Sequence, residues 1–288
     1  MMLHRGSVGA SALGAITLAA ALSMTFAGAW AFDESKYPDW KGQWVRADTG
    51  TPRYDPSKPS GRGQQAPLTP EARAILEASL KDQAEGGQGT DPTYTCLAPG
   101  MPRVMNNYEG IEFIITPNTT HMLMEHIHDS RRVFTDGRSW PAEIEPSFAG
   151  YSIGKWVDEG GTGRYNVLEI ETRGFKGPRA YDNTGLPLHE DNQSIINERI
   201  FQDKADPKIM YDQITTTDHA LTRPWSATKT YRRAQYERPV WHESVCAENN
   251  PHVEIAKQGY MLSADGLLMP AKKDQPPPDL KYFKLPQR

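Results

Sequence analysis

The first residues able to do chemistry are an alternating pair, His126-Ile127-His128. On a β-strand both imidazoles share one face and can address one proton, ligand or metal. A cupin-like metal site would need a Glu three or four positions beyond His128, where Arg131 and Arg132 stand instead. The chain also lacks C-x-x-C and zinc-type spacing, so the sequence assigns no metal ligands. The pair is read as ligand hydrogen-bonders or as a general acid and base inside a fold, against the plainer reading of structural histidines. His189-Glu190-Asp191-Asn192 precedes a strand and Asp218-His219 ends another, so a mouth of the fold could gather them for proton transfer. The candidate catalytic set is therefore His126, His128, His189 and His219, with Asp136, Glu190 and Asp218 to orient them.

A second group has the chemistry of a binding wall. Asp136-Gly137-Arg138 is a tight turn whose Arg138 can pair with Glu143 or Glu145, or hold an anionic ligand bidentately. Trp140, Tyr151, Trp156 and Trp225 supply aromatic surface for such a wall; a buried Trp ring is the plainer reading of Trp225. Gly150-Tyr151-Ser152-Ile153-Gly154 matches the G-x-S-x-G string. That string makes a nucleophile only as a strand-to-helix elbow, and no helix start follows it, so it is read as a Gly-bent strand.

These groups need a scaffold, and the chain from Ile111 onward alternates like strands with turns between them. Strands are expected over 111–116, 120–128, 132–135, 151–157, 165–172, 193–202, 208–217, 227–233 and 240–246. Short connections favour antiparallel neighbours, so the expected fold is mainly β, an antiparallel meander curling into a barrel. Neither strand face is purely polar: Ser194, Ile196, Glu198 and Ile200 share one side of 193–202. A mixed interior suits a ligand-holding, lipocalin-like barrel. One helix is expected from Pro70 to about Ala84, with Thr69 as N-cap, Pro70 and Glu71 in its first turn, and Gly86-Gly87 to end it. Its apolar stripe would be Ala72, Ile75, Leu76 and Leu80.

Residues 1–31 read as a secretory signal: a short basic start, an apolar run, and Ala29-Trp30-Ala31 as the cleavage motif. The expected organisation is a signal peptide over 1–31, a strap and helix over 32–95, the barrel over 96–254, and a Pro-rich strap over 255–288. The compartment is then periplasmic or extracellular, where Cys96 and Cys246 can form one long-range disulfide. A net charge of −4 with scattered basic residues provides no footprint for nucleic acid. No second apolar run could span a bilayer once the signal is removed.

Several of these stretches form an ordered set. DGRxxP (136–141), GYSIGKW (150–156), ETRGF (171–175), the 186–189 loop, ER (198–199), DHALTRPW (218–225) and CAENN (246–250) together resemble a group of exported bacterial proteins of uncharacterised function. The resemblance covers roughly residues 96–250. It implies an exported β-rich domain and transfers neither a catalytic residue nor a cofactor. The leading expectation is binding of a small organic molecule within the barrel. The alternatives are an acid/base lyase, isomerase or hydrolase acting on a small periplasmic substrate, and a structural or interaction module.

Overall fold

The structure, a computed structural model, describes residues 32–47, 66–106, 110–125, 130–235, 240–242, 245–246, 248, 250–256 and 258–278. The chain divides into two units, Met1–Glu34 and Ser35–Arg288, and the barrel belongs to the second. The expected signal segment lies outside the described residues. No helix among the described residues is long and apolar enough to cross a membrane.

Nine strands close into one barrel in chain order: β1 (Gln43–Arg46), β2 (Ile111–Ile115), β3 (Thr119–Met124), β4 (Ser130–Phe134), β5 (Tyr151–Val157), β6 (Val167–Arg173), β7 (Ile195–Gln202), β8 (Ile209–Thr217) and β9 (Trp225–Arg233). The mainly β, barrel-like architecture is the one expected, with one topological correction. β4 and β5 pair in parallel, Val133 opposite Ser152, while every other neighbouring pair is antiparallel. Parity requires this. An odd number of strands alternating up and down cannot close with antiparallel pairs alone, so one parallel step must occur. A parallel step needs a long crossover, and residues 135–150 supply it as an irregular loop. Nine strands with a parallel step also depart from the eight-stranded up-and-down lipocalin barrel.

The segment expected as an N-terminal strap supplies the closing strand. β1 bridges β2 and β9, with Trp44 opposite both Ile111 and Arg233. Trp40 and Trp44, before and within that strand, are core residues at 1% and 0% exposure. The strand expected over 240–246 is not seen in its described residues. Their polar groups go instead to side chains: Val240 O accepts from Gln43 Nε2 at 3.2 Å, and His242 N donates to Glu125 Oε1 at 2.7 Å.

Strict alternation sets what fills the barrel. β8 buries Met210, Asp212, Ile214 and Thr216 while its intervening residues face outward. Most inward residues are apolar, among them Met122, Met124, Val133, Leu168, Ile196 and Ile200. Each such aliphatic side chain contributes about 1.5–3 kcal/mol of burial free energy. Gly154 of β5 faces the same interior, where an added methyl would lie 2.5 Å from Val133 Cγ1.

Helix α1 spans Pro70–Ala84, capped by Thr69, whose hydroxyl accepts from Ala72 N at 3.2 Å. Its buried stripe is Ala72, Leu76 and Ser79, and Ile75 and Leu80 are exposed, contrary to the expected stripe. The helix packs not on a sheet face but against loop residues Tyr181, Leu186, Ala220 and Leu221, which turns its contact surface by about one position. Beyond the barrel, β10 (His252–Ile255), β11 (Gln258–Leu262) and β12 (Leu268–Pro270) form a small antiparallel sheet that begins in the last residues expected as barrel and continues into the expected C-terminal strap. The chain after it docks: Lys272 pairs with Asp82 of α1, and Tyr260 OH donates to Pro276 O at 3.3 Å. Cys96 and Cys246 form a disulfide with Cα atoms 5.5 Å apart, 150 residues apart in sequence.

Candidate functional site

The polar groups concentrate at the barrel end that carries Tyr151, Arg173, Ile195, Thr217 and Trp225. Two connections build this mouth, residues 174–194 between β6 and β7 and residues 218–224 between β8 and β9. A buried network ties them together. Asp218 accepts from the backbone N–H groups of His189 (2.9 Å) and Ala220 (2.8 Å), and from the Ser194 hydroxyl. Arg179 donates to Ser194 Oγ at 2.7 Å and to Met101 O at 2.9 Å, with its guanidinium 4.4 Å from the Phe175 ring centre. Burial pushes the Arg179 pKa down to about 10, against the opposing charges of Asp218, Asp191 and Glu190, so it stays a cation at neutral pH.

On top of this network His189 and His219 meet. Their ring centres lie 5.8 Å apart, and both Nδ1 atoms address Asp191 Oδ2, that of His189 at 3.2 Å. The second Asp191 oxygen is held by Gln193 N at 3.1 Å. Desolvation opposes ionisation of Asp191, but hydrogen bonds from His219 and Gln193 outweigh it and leave the carboxyl below its ordinary value. The two histidines singled out in the sequence are thus brought together, with a different partner from the one expected. Asp191 orients them, whereas Asp218 positions the backbone that carries them. Glu190 is exposed, and its side chain lies over Gly177.

Below the mouth, inside the barrel, lies a second polar set. Arg131 of β4 is 2% exposed and grips Glu198 of β7 with both terminal nitrogens, Nη1 to Oε1 at 2.7 Å. It also donates to Thr172 Oγ1 at 2.8 Å and approaches Ser152 Oγ at 3.3 Å. Ser152, the serine of the G-x-S-x-G string, therefore sits on a strand within a closed hydrogen-bond set, 2.8 Å from Thr172 Oγ1. Asp212 of β8 stands opposite Lys229 of β9, at 0% and 1% exposure. Neither Asp212 oxygen makes a hydrogen bond among the described residues, and neither does the Thr216 hydroxyl on the same strand face. Desolvation first, then the Glu198 charge, push the Asp212 pKa well above the usual carboxylate range, against Arg131 and Lys229. Tyr181 closes this interior from the mouth side, 4.6 Å from the Trp225 ring and 5.6 Å from Lys229 Nζ.

The expected binding wall separates into three places. Arg138, Trp140 and Tyr151 cluster on the outside. Arg138 pairs with Asp136 at 2.7 Å, rather than with Glu143 or Glu145, and its guanidinium lies 3.8 Å from the Phe134 ring centre. The Tyr151 ring lies 6.0 Å from that of Trp140, whose other neighbour is the Arg173 guanidinium at 4.7 Å. Asp136 is thus committed to an arginine and holds no histidine among the described residues. Trp156 is buried in the barrel, donating to Thr120 Oγ1 at 3.2 Å, and Trp225 belongs to the core under α1. His126 and His128 lie outside the described residues. Two surface cavities are also present: one of about 500 Å³ on the outer face of β5–β8, bounded by Lys155, Glu169 and Arg199, and one of about 660 Å³ bounded by Pro38, Phe201 and Lys204.

Sequence reasoning missed Asp191, Arg131, Glu198, Asp212 and Lys229 as site residues. For Arg131, Glu198 and Asp212 a signal existed: a single charge on its strand face, as with Glu198 between Ile196 and Ile200. Asp191 stood two positions from His189 in the 189–192 string, but its other partner, His219, is 28 residues away. Comparison with protein-family models, with curated proteins and with solved structures yields no match for this chain.

Proposed function

We propose that this protein is exported and binds a small polar organic molecule inside its barrel, between the Tyr181 plug and the Arg131–Glu198 pair. The observation that carries this reading is Asp212. A fully buried carboxyl whose oxygens both lack a hydrogen-bond partner among the described residues is rare, because leaving such a group unsatisfied costs about 1–3 kcal/mol. Burial favours the protonated form of Asp212, which offers one donor and one acceptor, with Lys229 opposite. That pattern suits a ligand carrying an amide or hydroxyl group, with Met and aromatic side chains around its apolar part. Export is supported by the disulfide, which persists in oxidising compartments, by the apolar N-terminal stretch, and by the resemblance of the ordered motifs to those of exported bacterial proteins. Three of those motifs contribute Ser152, Thr172 and Glu198 to the interior polar set.

A thermal-shift screen against small amides, polyols and aromatic acids tests the reading. Ligand at 100 times its Kd should stabilise the fold by about 2.7 kcal/mol, and Asp212→Leu should abolish the response while the barrel still folds. No response to any class would overturn it. The meeting of His189 and His219 over Asp191 favours a second reading, an acid/base enzyme working at the mouth. It requires a turnover that His219→Ala removes while interior binding persists.

A further inference from the structure

We propose that His189, Asp191 and His219 form a binding site for a divalent transition-metal ion at the barrel mouth. The three residues offer two imidazole nitrogens and one carboxylate oxygen, all within 4.8 Å of one another. Ligands of one tetrahedral zinc ion, each about 2.0–2.2 Å from the metal, stand about 3.3 Å apart. The His189 Nδ1–Asp191 Oδ2 separation is 3.2 Å, and His219 Nδ1 already touches the same oxygen. Closing the set needs only small rotations of two exposed rings.

The surroundings separate this trio from an ordinary surface ion pair. A simple pair needs one imidazole per carboxylate, whereas here two converge on a single oxygen. Two neutral imidazoles with one carboxylate make a singly anionic donor set of the type that zinc, nickel or copper prefers. Each ligand is fixed through an independent anchor. His189 is held at its backbone N–H by Asp218, and Asp191 at its other oxygen by Gln193 N. His219 is held by the turn in which Asp218 accepts from Ala220 N. His189 Nδ1 also accepts from Asp191 N at 3.2 Å, so its lone pair faces the cluster, and a metal would take the place of that N–H. Three protein ligands on an exposed rim leave the remaining coordination positions open to solvent, as in catalytic rather than structural zinc sites. Metal and proton compete for the same nitrogens, so occupancy would displace the acid/base reading of these two histidines without touching the interior binding reading.

Equilibrium dialysis of the full chain against zinc, with metal counted by mass spectrometry, tests the site. The expected result is about one zinc per chain. Losing an outer-sphere partner typically weakens a metal site about 10–100-fold, so losing a direct ligand in His189→Ala or His219→Ala should weaken it by at least about 100-fold. His121→Ala should leave it unchanged. Cobalt added to unmutated protein should broaden the His189 and His219 ring resonances first, which keeps the test valid if a variant misfolds. No stoichiometric zinc, zinc retained in the His189→Ala/His219→Ala double variant, or cobalt broadening centred elsewhere would each overturn the proposal.

Discussion

Two arginine–carboxylate pairs lie close together in the chain and in opposite surroundings. Arg131 grips Glu198 within the barrel, where the side chains are 2% and 0% exposed. Arg138, seven positions later, grips Asp136 at the surface, at 38% and 25%. The chemistry is the same and the consequences differ. Outside, water and salt solvate either charge if its partner leaves. Inside, a charge that loses its partner is stranded, so the interior pair binds four strands into one arrangement whether or not it adds net stability.

The largest effect should come from breaking the inner pair. Glu198→Ala is expected to cost about 3–5 kcal/mol in urea unfolding, and Arg131→Met with Glu198→Leu should recover most of that loss. A double variant as unstable as the single one would mean that the pair contributes more than mutual neutralisation. Next in size, replacing Cys96 and Cys246 with Ser should cost about 2–4 kcal/mol, since the bridge encloses β2 to β9. Gly154→Ala should follow at about 1–3 kcal/mol, because the added methyl would lie 2.5 Å from Val133 Cγ1.

The pH dependence separates the two regions by sign. Asp212 has a raised folded pKa, so its contribution is full below the unfolded carboxylate value and fades as pH rises through the folded one. Asp212→Asn should therefore gain stability relative to unmutated protein as pH climbs from about 4, and parallel curves would contradict the raised carboxyl pKa. Asp136 has the opposite sign. Held down to about 2, chiefly by its hydrogen bond from Arg138, it contributes above the ordinary value and loses that contribution as pH falls through about 2. The smallest expected effect is that of Arg138→Ala, which should lower the urea midpoint only slightly, because solvent screens both charges of the exposed pair.

The sequence foretold elements with strong local signals. Thr69, Pro70, Glu71 and Gly86 bound the helix at the residues expected, since capping is decided within one turn. The strands from Ile111 to Arg233 followed from alternation. β1 did not, because a four-residue strand with Gln43, Trp44 and Arg46 all buried shows no alternation. The parallel step at β4–β5 was hidden because its crossover is an irregular loop and not a helix. At the mouth, His189 and His219 were legible as polar strand ends, but their meeting depends on the buried Arg179–Ser194–Asp218 network, which joins segments far apart in the chain. Within the barrel, Arg131 was noticed only for occupying the place of a metal-binding Glu. Its real partner, Glu198, lies 67 residues on, beyond the reach of any local pattern.

Whether the interior accepts a ligand can be read from the methionines that line it. Met105, Met122, Met124 and Met210 are all at 0% exposure, so their methyl groups report on the interior and not on the surface. With methyl-labelled methionine, the compound with the largest thermal shift should move the Met122, Met124 and Met210 methyl resonances in proportion to occupancy. Asp212→Leu should leave those resonances unmoved by the compound. Interior methyl signals that stay fixed while the compound is demonstrably bound would contradict a binding site inside the barrel.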